Sequence, residues 1–223
     1  MCFTTKRGKW LVYSFGILSL TGFSQENLTG FWQPTLALNY KVAKNYSHNF
    51  SLQNRNFIYT DKAFEVRVRQ FDLGHFSNFK LAQNQSIALG VLYRQRNVFD
   101  GGASELRFTQ QYNLRHKPYV VRYGHRFRAQ QRITSALTTH RFRYRFSLDF
   151  PLQGEQLDVG EAYFVGNVEQ LLSAARTIKP QHDTRFTFFI GWQITEKMKL
   201  QLGTEYRFED YGQDLQQVFF LLS

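Results

Sequence analysis

From Arg141 to Phe150 the chain alternates without a break. Arg141, Arg143, Arg145, Ser147 and Asp149 interleave with Phe142, Tyr144, Phe146, Leu148 and Phe150. Successive side chains of a strand point to opposite faces, so this segment predicts a strand with one greasy face and one cationic face. The same period of two recurs along the sequence. Leu36, Leu38, Tyr40 and Val42 share a face, and Phe64, Val66 and Val68 oppose Glu65, Arg67 and Arg69. Ile87 to Tyr93, Leu106 to Leu114, Tyr119 to Phe127, Phe186 to Ile194 and Met198 to Phe208 follow the same rule. Weaker stretches lie at 49–59, 162–168 and 215–222.

Helical periodicity is confined to Val168–Ile178, a short candidate helix that Pro180 would end and that belongs to a long loop. Strands of about ten residues with one apolar face are what a tilted membrane barrel requires. A soluble β-sandwich also alternates, but its strands run shorter and its polar face is not dominated by arginine. Aromatic residues make up 17% of the chain and gather near strand ends, as interfacial girdles do, which favours the barrel.

The connections fall into two alternating sets. Lys44-Asn45, Gln83–Gln85, His116–Pro118 and Thr195–Lys197 are tight and suit a periplasmic rim. The stretches 100–102, 133–139, 167–183 and 210–214 are longer or looser and suit the outside. Eleven strands are visible, and closure between antiparallel neighbours demands an even number. The expectation is therefore an all-β antiparallel transmembrane barrel of twelve strands, the extra one near Asn27–Gln33, with ten if a weak strand is false.

Residues 1–24 read as a secretory signal. Lys6, Arg7 and Lys9 precede an apolar stretch from Trp10 to Phe23, and Gly22-Phe23-Ser24 suits cleavage before Gln25. The apolar stretch is shorter than the roughly 20 residues of a spanning helix. Residues 25–223 then form one domain, exported to the outer membrane of a Gram-negative bacterium. The single cysteine, Cys2, lies in the signal, so disulfides and thiol chemistry do not enter the domain. The full chain carries a net charge of +11, and the domain holds 17 arginines against 8 lysines. Guanidinium is rigid and multidentate, so this bias points to fixed partners. The basic residues are spread singly over nearly every strand of an exported chain, which argues against nucleic acid.

Arg126-Phe127-Arg128-Ala129-Gln130-Gln131-Arg132, the strand Arg141-Phe142-Arg143-Tyr144-Arg145 running to Phe150-Pro151-Leu152, and Gly203-Thr204-Glu205-Tyr206-Arg207 carry a resemblance. Together they resemble a bacterial family of outer-membrane barrels known only as a domain of unknown function. The resemblance covers most of the domain and implies fold and location, with no activity to carry over. Where such families usually show an acid in an Arg-x-Glu-Gln-Arg position, this chain has Gln130, at the cost of one ion pair.

By parity the interior would hold Glu65, Arg67, Arg69, Arg94, Arg96, Glu105, Arg107, Arg122, Arg126, Arg128, Arg141, Arg143, Arg145, Glu205 and Arg207. The small residues Ala88, Gly90, Gly124, Gly191 and Gly203 would leave them room. Guanidinium–carboxylate pairs can fill a narrow barrel, so the leading expectation is a structural or closed barrel. Arginines outnumber acids, and bare buried charge is costly, so a small anion-selective pore for acidic solutes is the alternative. A rim lipid or acyl hydrolase is a second alternative, with Ser135, His140, His182 and Asp183 as its candidates and no Gly-x-Ser-x-Gly motif. The remaining histidines have no metal-ligand spacing, so neither metal nor cofactor is expected. The expected partners are outer-membrane lipid and anionic small solutes, around a monomer.

Overall fold

The computed structural model describes residues 28–60, 62–97, 101–211 and 215–223. The signal segment and its cleavage point lie outside the described residues. Eleven strands succeed one another: β1 (Leu28–Ala43), β2 (Tyr46–Tyr59), β3 (Arg67–Lys80), β4 (Gln85–Arg96), β5 (Ser104–His116), β6 (Arg122–Ile133), β7 (Thr138–Pro151), β8 (Ala162–Ala175), β9 (Ile178–Gln193), β10 (Lys199–Glu209) and β11 (Leu215–Leu222). Each pairs antiparallel with its sequence neighbours, and β1 meets β11 to close a barrel.

The described strands number eleven, not twelve. The residues expected to form an extra strand are, from Leu28 onward, the first half of β1 itself. An even count is needed only if every neighbouring pair is antiparallel. Eleven strands of alternating direction bring β1 and β11 together pointing the same way, and a parallel ladder pairs Leu28 with Gln216 through Pro34 with Leu222.

Three local expectations also change. Val168–Ile178 is neither helix nor long loop: β8 runs through it to Ala175, a turn occupies 176–177, and β9 begins at Ile178. The local spacing of Val168, Leu171 and Leu172 suits a helix, but ladders on both sides, to β7 and β9, override it. The third strand starts later than its alternation suggested, since Phe64 and Val66 lie before β3 and are 89% and 86% exposed. A bulge then shifts the register: Arg55 pairs with Gln70 and Asn56 with Val68, leaving Arg69 as the extra residue.

Connection length does not separate the two rims. One rim, here the lower, carries 44–45, 81–84, 117–121, 152–161 and 194–198; the upper carries 60–66, 97–103, 134–137, 176–177 and 210–214. The grouping by alternation holds. Yet the long 152–161 connection is on the lower rim and the tight 176–177 turn on the upper, so length does not orient the molecule.

The two faces of the sheet have opposite polarity. Outside, exposed apolar residues recur on neighbouring strands, among them Leu36, Leu38, Phe50, Leu52, Leu73, Leu89, Val91, Phe108, Phe127, Phe142, Phe188, Ile190 and Phe220. Inside, the buried residues are mostly polar: Gln70, Asp72, Arg94, Glu105, Arg107, Asn113, Glu169, Arg185, Glu205 and Arg207. A buried apolar cluster interrupts this interior at the β1–β11 seam, where Phe31, Phe219 and Leu221 pack against Phe57 and Phe189. Phe31 and Phe219 stack at 4.7 Å.

Candidate functional site

The site is the charged interior, and cross-strand register builds it. In the upper half β3, β4, β5 and β6 bring opposite charges level. Arg94 pairs directly with Asp72 and with Glu105 in the ladders. It grips Asp72 in a fork, Nε to Oδ1 at 2.8 Å and Nη2 to Oδ2 at 2.5 Å. Glu105 accepts from Arg107 at 2.5 Å, Arg132 at 2.6 Å and Arg96 at 2.9 Å. Such ionised, bidentate contacts are the strong class of hydrogen bond.

A second network spans β7 to β10. Glu169 lies opposite Arg145 on one side and Arg185 on the other. It pairs with Arg145 at 3.2 Å and Arg143 at 3.7 Å. Glu205 holds Arg207 and accepts from Thr187 at 2.9 Å. Glu209 lies 3.4 Å from Arg185 and 3.6 Å from Arg207. Arg141 donates to Ser173 at 2.7 Å.

At the seam, guanidinium groups also lie on rings. Arg207 stands 3.7 Å and Arg55 4.7 Å from the Phe219 centroid, and Arg69 stands 4.9 Å from that of Phe31. Arg55 also donates to Gln33 at 2.8 Å. This packing seals the closing ladder from within.

Near the lower rim, pairing is sparser. Arg122 reaches Asp149 at 2.7 Å, and that arginine is half exposed. Arg126 donates to Asn113 at 3.1 Å and Arg128 to Gln111 at 3.0 Å. Glu65 and Arg67 pair at 3.0 Å with both half exposed, so they stand at the upper rim outside the packed interior. Gln130 is buried, donates to Thr109 at 3.1 Å and accepts from Arg143 at 3.1 Å. The amide thus occupies the place where an acid would meet Arg143.

Three interior glycines make room for rings rather than for arginines, and Gly124 faces the Ser147 hydroxyl. Gly90 pairs with Phe76, Gly191 with Tyr163 and Gly203 with Phe189, and each ring lies where a Cβ would be, at 2.3 Å. Each pair is a glycine covered by its cross-strand aromatic.

Several members of the networks escaped the sequence reading: Arg55, Gln70, Asp72, Arg132, Asp149, Glu169, Asp183, Arg185 and Glu209. Arg132 shares the parity of Arg126 and Arg128, so that signal was present. Glu169, Asp183 and Arg185 were hidden by the helix-like spacing of 168–178, and Asp72 by the bulge at Arg69. Among the hydrolase candidates, Ser135 sits in the 134–137 connection and lines a surface depression with His140. His182 faces outward, whereas its neighbour Asp183 is buried inside and accepts from the Asp210 N–H at 3.1 Å.

No curated protein and no solved structure matches the chain. A family model, described as "Protein of unknown function (DUF2490)", matches residues 29–218, from the start of β1 to the middle of β11. That span takes in at least part of every described strand and both charge networks, and the chain belongs to this family.

Proposed function

We propose that the chain is a bacterial outer-membrane β-barrel, closed by its packed interior, with lipid against its outer face. The observation that carries this reading is the inverted polarity: a belt of exposed apolar side chains surrounds an interior of buried arginines and carboxylates. In water such a belt would be a large aggregation-prone patch; in a bilayer it is the solvent-matched surface. A closed barrel has no edge strand, so every strand finds its backbone partners within the sheet. The signal-like segment at 1–24 supplies the route out of the cytoplasm.

The seam cluster and its stacked arginines, together with the forks on Asp72 and Glu105, support the closed reading. These groups occupy the upper half of the interior. Fractionation of the native host should place the protein in the outer membrane, with gel mobility that changes on heating. Recovery from the soluble periplasm would overturn the membrane reading. In planar bilayers the purified barrel should stay silent. Anion-selective openings that lose selectivity in Arg143→Gln or Arg126→Gln would replace the closed barrel by an anion pore.

A further inference from the structure

The lower half of the interior opens as a cavity of about 670 Å³ beside the 44–45 turn. Its described wall carries Lys41, Lys44, Lys80, Arg115, Arg126 and Arg128, with no carboxylate among the lining residues. The register makes this costly. Arg126 is placed directly opposite Arg145, and Arg128 opposite Arg143. Like charges level across a ladder destabilise a sheet.

Among the described residues, direct ion pairs form on only one side of that ladder. Glu169 on β8 serves Arg143 and Arg145. Arg126 and Arg128 turn toward β5, where Asn113 and Gln111 accept from them. Neutral amides fix a guanidinium in place without neutralising it. Arg128 also lies 5.4 Å over the Phe76 ring, which rests on Gly90. Two cations are therefore held in position with charge to spare.

Most of the rest of the wall is amide and hydroxyl, including Asn39, Asn49, Asn78, Gln85 and Ser86. Planar amides donate and accept side by side, which suits neighbouring hydroxyl groups. The volume lies within the range of small-molecule sites.

We propose that this cavity is a binding site for an acidic oligosaccharide, its carboxylates on Arg126 and Arg128 and its hydroxyls on the amide wall. The site does not depend on cellular location or on conduction, so it can fail while the membrane reading stands. The test is calorimetric titration of the whole folded barrel in neutral detergent micelles at low salt. Trigalacturonate should bind and maltotriose, its uncharged counterpart, should not. Tripolyphosphate, a polyanion without hydroxyl-bearing rings, should bind at least tenfold more weakly than trigalacturonate. Arg126→Gln and Arg128→Gln should each weaken trigalacturonate at least tenfold, and Arg67→Gln at the opposite rim should leave it unchanged. If the arginine variants lose heat-modifiable mobility, Lys80→Gln and Asn78→Ala replace them, each with a loss of about threefold or more expected. No trigalacturonate binding, equal binding of maltotriose, or unchanged affinity in folded variants would overturn the proposal. Tripolyphosphate binding as tightly as trigalacturonate would overturn its sugar component.

Discussion

At the scale of the residue, Gln130 separates a position from its charge. It sits on β6 within reach of Arg143, whose only carboxylate contact among the described residues is the long one to Glu169. An acid here would convert a neutral acceptor into a charged one in a region with surplus cations. Hydrogen bonds to charged groups contribute about 1.5–3 kcal/mol, against about 1 for neutral ones. Gln130→Glu should therefore stabilise the folded barrel by about 1 kcal/mol, since the Thr109 hydroxyl can turn to donate. Urea unfolding in lipid vesicles checks the sign, and a less stable variant would show that Arg143 is already satisfied.

At the scale of the element, β9 shows how strictly the two faces divide. Phe188 lies on the exposed face, whereas Thr187 is buried and bonded to Glu205. Phe188→Arg should cost about 2–4 kcal/mol if it lies near the bilayer midplane. Thr187→Ser keeps the hydroxyl and should cost well under half as much. The pair is compared by folding yield into vesicles of defined thickness, and equal losses would contradict the division of faces. The long run of β9 also explains the misread segment before it. Val168–Ile178 has helix-like spacing only in isolation. Once β7 and β9 flank it, Val168–Ser173 has ladder partners on both sides, and Glu169 gains Arg145 and Arg185 as neighbours.

At the scale of the whole molecule, closure is the decisive feature. The parallel seam places Trp32 level with Phe220, both on the outer face. With the only native cysteine at position 2, a Trp32→Cys, Phe220→Cys double variant offers a clean readout. Mild oxidation of the folded barrel should link the two cysteines, giving a species of altered mobility on non-reducing gels. Oxidation after heat denaturation should give it in much lower yield. Absence of the link in the folded barrel, while a Leu202→Cys, Leu222→Cys control across the β10–β11 ladder still forms, would mean that β1 and β11 are not in this register.

Period-two alternation is a local property, because each side chain's face follows from its neighbours in the chain. For that reason the strands, the arginine-bearing face and the grouping of connections were legible from residues alone, as in Arg141 to Phe150. Everything that depends on a distant partner was not. The bulge at Arg69 exists because β2 and β3 keep their register on either side of it, and it brings Gln70 and Asp72 inward. The rings over Gly90, Gly191 and Gly203 depend on which strand lies opposite. The odd strand count required the two ends of the sheet to meet in parallel. No single strand's pattern carries that information, since a strand alternates in the same way whether its neighbour runs with it or against it.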